Sequence, residues 1–205
     1  MRCLFGKVPI LLLLVILPYG CSPSGDTPIP TRILMLGDSI TAGGHWNQLT
    51  GRADIRNEGL GGATSKSTLN RFDREVWPPE ISHCFLMIGA NDISGRIPVD
   101  QVVDNIELIL DGLASRNIEV ILQSVLFVAT DLADHVGRNM QIKTLNEKLM
   151  VIADERELTF LDLNEILAPE GYLLDRYTQD GIHLMEDGYR LWVSQVLPII
   201  DSYGI

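Results

Sequence analysis

The sequence predicts a doubly wound, three-layer α/β/α domain, and two features indicate it: short apolar runs and helical patterns between them. Five such runs follow Thr31, and three are continuous rather than alternating, which is typical of strands covered on both faces. Strands that alternate with helices indicate a parallel sheet with right-handed crossovers. The runs are Ile33–Leu36, Ala53–Arg56, Cys84–Ile88, Glu119–Leu122 and Leu158–Leu161.

The longer helical patterns carry apolar residues at three- and four-residue spacing, which lets a helix cover one face of a sheet. Val99–Ser115 and Met140–Ala153 both show such a stripe, and Glu186–Ile200 closes the chain. In a doubly wound sheet, reactive groups gather at the carboxyl ends of the strands. Motifs that directly follow the predicted strands are therefore the candidates for a functional site.

Length, composition and charge exclude several classes of protein. The 205 residues are enough for one globular core. The 18 glycines and 10 prolines follow no repeat, which argues against collagen-like, low-complexity and solenoid chains. With 16 Lys and Arg against 27 Asp and Glu, the net charge is −11. Nucleic-acid binding is disfavoured, because a protein that neutralises phosphates carries the opposite sign.

The first twenty residues differ from the rest and are typical of a secretory signal peptide. Arg2 and Lys7 give a positive start, and Ile10–Leu17 is an unbroken apolar run. This run is too short for a hydrocarbon core that requires about 20 residues. Leu17–Ser22 resembles a bacterial lipoprotein signal, and that resemblance implies lipidation of Cys21. An ordinary signal peptide cut nearby and a residual N-terminal anchor are the alternatives.

These patterns divide the chain into a signal peptide at 1–20, a tether at 21–30 and one domain at 31–205. We expect an exported protein that contacts the membrane through its N-terminal lipid only, or that is secreted. After the signal and Cys21 are set aside, Cys84 is the one cysteine of the domain, so no internal disulfide framework is expected. Its apolar surroundings predict a buried small hydrophobe. Nothing in the sequence indicates the oligomeric state.

Two of four candidate motifs follow the first two strands. Gly37-Asp38-Ser39-Ile40 puts a serine at a strand-to-helix turn, where the helix N-terminus directs N–H groups at a developing oxyanion. The motif alone also fits a simple helix cap. The glycine-rich stretch Asn57–Ser65 fits either a flexible turn or a backbone donor that approaches substrate closely. It lacks the spacing of a phosphate loop or a dinucleotide fingerprint.

The other two motifs lie farther along the chain. Asn91, in Gly89-Ala90-Asn91-Asp92, follows the third strand and can direct its amide NH₂ at the same point, although an Asx-turn is the simpler interpretation. Asp180-Gly181-Ile182-His183 precedes the last helix. Its carboxylate can bond imidazole Nδ1 and leave Nε2 free to accept a proton from a serine. Metal sites and helix starts use the same spacing. Together, the four motifs favour acyl transfer.

These four motifs resemble the four blocks of the SGNH, or GDSL-type, hydrolases, and the likeness extends from Arg32 to about Asp201. The resemblance implies a flavodoxin-like sheet of five parallel strands. It assigns Ser39 as nucleophile, His183 as general base and Asp180 as its orienting acid. The oxyanion hole would be the N–H of Ser39, the N–H of Gly62 and the side chain of Asn91. No metal or organic cofactor is implied.

Two details of the glycine-rich block are left open by the resemblance. Ala63 stands where many relatives have Asp, which leaves the bonding of that loop open. Gly61 is the alternative to Gly62 as oxyanion donor.

The compact length is similar to the branch that contains platelet-activating-factor acetylhydrolase subunits and bacterial lysophospholipases. We expect a serine esterase for a small substrate, either a short acyl group such as O-acetyl on carbohydrate or a lysolipid-like ester. The alternative is a non-catalytic surface module that binds glycans or lipids in the same pocket. Four intact catalytic residues favour the enzyme, since a binding module does not need them all.

Overall fold

The computed structural model describes residues 32–72 and 77–205. The predicted signal peptide, Cys21 and the tether lie outside the described residues.

Five parallel strands form one sheet in the order β2-β1-β3-β4-β5, which confirms the predicted flavodoxin-like α/β fold. Gly37, Gly59 and Met87 lie side by side at the carboxyl ends of the first three strands. The chain passes from β1 to β2 on one side and returns to β3 on the other, so a crevice opens between the ends of β1 and β3. The strands are β1 Ile33–Gly37, β2 Ile55–Gly59, β3 His83–Met87, β4 Glu119–Gln123 and β5 Thr159–Leu161.

Eight helices cover the described parts of the chain on both sides of the sheet. Three of them correspond to the three predicted helical patterns. The helix that contains Met140–Ala153 begins earlier, at His135, with a polar first turn that shows no apolar periodicity. The helix that contains Glu186–Ile200 continues to Tyr203. The helices are α1 Ser39–Ala42, α2 Trp46–Thr50, α3 Ser65–Phe72, α4 Ala90–Ser94, α5 Val99–Ala114, α6 His135–Glu155, α7 Asn164–Leu167 and α8 Glu186–Tyr203.

The sheet separates two hydrophobic cores, which makes the three layers. Leu34 and Leu36 of β1 pack with α5 and α6, whereas Ile33 and Met35 pack with α8 on the other face. Because β1 and β3 are buried on both faces, their sequences are continuous apolar runs.

The second strand differs from its predicted position. The apolar pattern predicts Ala53–Arg56, but the strand runs over Ile55–Gly59 and includes Asn57 and Glu58. This strand pairs with β1 alone and is only partly buried, so polar side chains are tolerated on it. The shift brings the glycine-rich loop directly onto the carboxyl edge of the sheet.

Cys84 in β3 is a free, fully buried thiol, as its apolar surroundings predict. Burial raises the pKa of the Cys84 thiol well above its usual value, which keeps it uncharged and inert. Within residues 32–72 and 77–205, no helix has the length and apolarity needed to cross a membrane.

Candidate active site

The turn after β1 presents Ser39 at the edge of the sheet. Asp38 caps α1, since its Oδ1 accepts a hydrogen bond from the Ile40 N–H at 2.9 Å. Gly37 permits the tight approach of strand and helix. A Cβ there would lie 2.2 Å from Thr41 Oγ1 and 2.4 Å from the carbonyl oxygen of Met87. The turn is therefore fixed from inside the core, with Ser39 itself partly exposed.

A chain of two side-chain hydrogen bonds joins the predicted nucleophile to the predicted acid. Ser39 Oγ lies 2.9 Å from His183 Nε2, and His183 Nδ1 lies 2.6 Å from Asp180 Oδ2. The carboxylate holds the proton on Nδ1, so Nε2 is left to accept the serine proton. The structure thus brings Ser39, His183 and Asp180 together from chain positions 144 residues apart.

Asp180 is held by the backbone of its own turn. Its Oδ1 accepts hydrogen bonds from the N–H of Ile182 at 3.0 Å and from the N–H of His183 at 2.8 Å. Burial acts to raise the pKa of Asp180, but the hydrogen bonds from the His183 ring and from these N–H groups outweigh it. The pKa of Asp180 is held well below its usual value, so the carboxylate stays charged beside the imidazole.

The glycine-rich loop adopts a conformation that favours glycine at the predicted oxyanion position. Gly62 has φ +74°, in the left-handed region, and no Cβ-sized obstacle surrounds it. Gly62 lines the same cavity as Ser39, Asn91 and His183, whereas Gly61 does not. Of the two alternatives, the structure places Gly62 at the site.

Asn91 lies in the first turn of α4 and reaches across to this loop. Its Nδ2 donates to the carbonyl oxygen of Ala63 at 2.9 Å. An amide NH₂ has two N–H donors, so the bond to Ala63 uses only one of them. The bond fixes Asn91 relative to the loop that carries Gly62.

A buried polar network supports the loop, and the sequence motifs did not reveal it. Asp92 is 1% exposed, and its two oxygens accept from Ser65 N–H at 2.8 Å and Ser65 Oγ at 2.7 Å. Asn105 Nδ2 donates to Ser65 Oγ at 3.0 Å. Ala63 cannot supply a side-chain hydrogen bond, and the Ser65–Asp92 pair instead joins the loop that carries Gly62 to the turn that carries Asn91. Only contact between residues 27 positions apart reveals this pair, since no local pattern predicts it.

Buried groups also support the turn that carries Ser39. Burial raises the pKa of Asp38 to about 6, although the Ile40 N–H and the nearby His183 act to lower it. The Tyr189 hydroxyl donates to the carbonyl oxygen of Ile40 at 2.7 Å. Burial, together with the charge of Asp38, raises the pKa of Tyr189 to about 12. These groups hold α1 against α8.

A cavity of about 290 Å³ contains the reactive groups. Its wall is completed by side chains to which the sequence analysis gave no role: Ala90, Ser94, Val128, Arg138, Ile142 and Ile182. In the part of the chain that the structure describes, no group of three or more His, Cys, Asp or Glu side chains could hold a metal ion. A hydroxyl activated by an oriented imidazole, beside N–H donors, can carry out nucleophilic acyl transfer.

Residues 35–191 match the GDSL-like Lipase/Acylhydrolase family. The chain belongs to this family. The resemblance to SGNH or GDSL-type hydrolases is thereby confirmed, and the enzyme class of the family, carboxylic ester hydrolase, applies to the domain. All four predicted motifs lie within the matched residues.

Two relatives are similar in sequence to most of this chain. An N-acylneuraminate cytidylyltransferase of Streptococcus agalactiae serotype V is 24% identical over 169 residues, which are 82% of this chain and 38% of that protein. The chain therefore spans less than half the length of this relative. The isoamyl acetate-hydrolyzing esterase of Saccharomyces cerevisiae is 23% identical over 180 residues, covering 77% of this chain and 73% of the esterase.

Two solved structures show the same fold. A Streptococcus pneumonia protein, provisionally described as a platelet activating factor, is 26% identical with a TM-score of 0.78, over 86% of each chain. The acetyl xylan esterase AlAXEase is 19% identical with a TM-score of 0.69, over 82% of this chain and 99% of that one. At 19% identity the likeness concerns the fold alone.

Proposed function

We propose that this protein is a serine esterase that hydrolyses small carboxylic esters through an acyl-enzyme. The observation that carries the proposal is the hydrogen-bond chain from Ser39 Oγ through His183 to Asp180. It supplies a nucleophile, a base in reach of it and a carboxylate that orients the base.

In the first half of the reaction, Ser39 Oγ attacks the ester carbonyl carbon while His183 Nε2 accepts the hydroxyl proton. The N–H groups of Ser39 and Gly62 and the second N–H of Asn91 Nδ2 stabilise the tetrahedral oxyanion. His183 then donates its proton to the leaving alcohol as the C–O bond breaks. The acyl group remains on Ser39.

In the second half, His183 accepts a proton from water, and the resulting hydroxide attacks the acyl carbon. Collapse of the second oxyanion releases the acid and returns the proton to Ser39. Asp180 stays charged throughout, which favours the imidazolium formed in each half. Every step uses side chains and N–H groups of the chain itself.

We propose a short acyl group, O-acetyl on a carbohydrate before a lysolipid-like ester. A cavity of about 290 Å³ around the serine is small for a long acyl chain. One relative is named for isoamyl acetate, and a protein that shares the fold is named for acetyl xylan. Export of the protein, with Cys21 as a lipid anchor, is proposed from the pattern of residues 1–22.

The test is hydrolysis of p-nitrophenyl acetate, butyrate and octanoate by the full chain in detergent, beside its Ser39→Ala variant. We expect the highest kcat/KM on acetate, with the activity lost in the variant. Rates that rise with chain length would favour the lysolipid-like substrate. Folded protein that is inactive on all three esters would contradict the proposal and favour the binding module.

A further inference from the structure

A cationic side chain lies in the wall of the catalytic cavity. Arg138, in the first turns of α6, is only 15% exposed and lines the cavity together with Ser39 and His183. Among the described residues that line it, Arg138 is the one permanent cation. Neither the four motifs nor the proposed chemistry gives it a role.

One part of the guanidinium is already bonded and another is not. Nη2 donates to Asp134 Oδ2 at 2.8 Å, which largely neutralises the charge. Arg138 Nε is buried and has no hydrogen-bond partner within the described residues. Since a guanidinium has only donors, this N–H can be satisfied only by an acceptor oxygen.

A buried donor without a partner favours ligands that bring an acceptor and disfavours those that do not. The neighbouring wall side chains Val128, Ile142 and Ile182 are aliphatic and offer no side-chain acceptor. Because Asp134 already balances the charge, a neutral oxygen fits better than a second carboxylate, which would compete with Asp134. A purely aliphatic substrate would leave the N–H unsatisfied.

We propose that Arg138 is a specificity-determining residue that selects esters whose alcohol part carries further oxygen acceptors, as sugars do. This inference rests on the proposed esterase function and deepens it, since it separates carbohydrate esters from lipid-like ones. Arg138 donates from its guanidinium to a hydroxyl or ring oxygen of the alcohol. Ser39 meanwhile attacks the acyl carbon.

The experiment compares kcat/KM of the full chain for a mono-O-acetylated methyl xylopyranoside and for cyclohexyl acetate, which has a similar ring without oxygens. The wild type is expected to prefer the sugar acetate by about tenfold to a hundredfold. Arg138→Met keeps much of the side-chain length and removes all donors. It is expected to abolish most of that preference, chiefly through KM of the sugar acetate, with cyclohexyl acetate changed less than about twofold.

Two further variants separate recognition from structure. Asp134→Asn leaves the guanidinium in place and is expected to keep the preference, and Arg138→Lys is expected to keep part of it. Equal losses on both acetates in Arg138→Met, or loss of the preference in Asp134→Asn, would overturn the inference. So would the absence of any preference in an active wild type. A folded wild type that cleaves neither acetate would contradict the proposed function itself.

Discussion

The two ends of the catalytic hydrogen-bond chain are built in different ways. Asp38, beside the nucleophile, is 1% exposed and caps α1 from inside the core. His183 and Asp180 keep 48% and 55% of their side chains exposed and are held by bonds within one turn. Core packing therefore places the serine, whereas a few local hydrogen bonds place the imidazole. Substitutions at the two turns should change stability and activity in different proportions.

Removal of the exposed base should give the largest effect on activity with little effect on stability. His183→Ala is expected to lower kcat by at least about 10⁴-fold, because Ser39 loses its proton acceptor. The free energy of unfolding should change by less than about 1 kcal/mol, since the ring is half exposed. Ester hydrolysis and urea unfolding measure the two quantities.

The matched control for this variant is His45→Ala, another exposed histidine, which contributes nothing to the hydrogen-bond chain. It is expected to leave kcat within about twofold. A large loss of stability in His183→Ala would contradict the contrast between the two turns.

Asn91 lies along the chain between the Ser39 turn and the Asp180–His183 turn. Its substitution should have the next largest effect on turnover. Asn91→Ala removes the proposed oxyanion donor and is expected to lower kcat by about 10²-fold to 10³-fold. Asn91→Asp keeps the shape but offers an acceptor, so its loss should be at least as large. Single-turnover kinetics on an activated acetate would measure the acylation step. A change below about threefold in both variants would exclude Asn91 as a donor.

The buried carboxyl of Asp38 should make the free energy of unfolding depend on pH. Because the pKa of Asp38 is raised to about 6, charging this carboxyl is harder in the folded than in the unfolded chain. Its favourable contribution is complete below the unfolded pKa near 3.8 and is lost as the pH rises through 6. Asp38→Asn, which retains a capping oxygen, should therefore gain about 2 kcal/mol relative to the wild type between pH 4 and pH 7.

Urea unfolding of both proteins at several pH values measures this gain. Asp134→Asn, at an exposed carboxylate with a lowered pKa, serves as the control and should show no such gain. A pH-independent difference between Asp38→Asn and the wild type would show that Asp38 is not the titrating group.

The smallest effect is expected in the network behind the oxyanion loop. Ser65→Ala removes the hydroxyl bonded to Asp92 and Asn105, and should cost about 1–2 kcal/mol of stability. The rate should fall by about threefold to tenfold as the Gly62 loop loosens. Ser194→Ala, at an exposed position on α8, is the control and should change neither quantity. Unchanged kcat in Ser65→Ala would show that the loop is held by other contacts.

The sequence indicated the fold and the reactive groups because both leave local patterns. β1 and β3 are buried on both faces, so they are visible as continuous apolar runs, and the four motifs follow strands or precede a helix. The predicted position of β2 was shifted toward the N-terminus, because a partly buried edge strand tolerates the polar residues Asn57 and Glu58.

What the sequence could not reveal depends on tertiary contact. The Ser65–Asp92 pair spans 27 residues, and no spacing rule connects its members. In the sequence, Arg138 is an ordinary charged residue near the start of a helix. Only the packing of α6 against the cavity distinguishes it from a solvated arginine.

The most direct measurement is covalent labelling of the full chain by a fluorophosphonate, with the modified peptide identified by mass spectrometry. A serine hydrolase should form a single adduct on Ser39, formed far more slowly in His183→Ala and absent in Ser39→Ala. Folded protein that forms no adduct, or that reacts at a serine other than Ser39, would contradict the assignment of Ser39 as nucleophile.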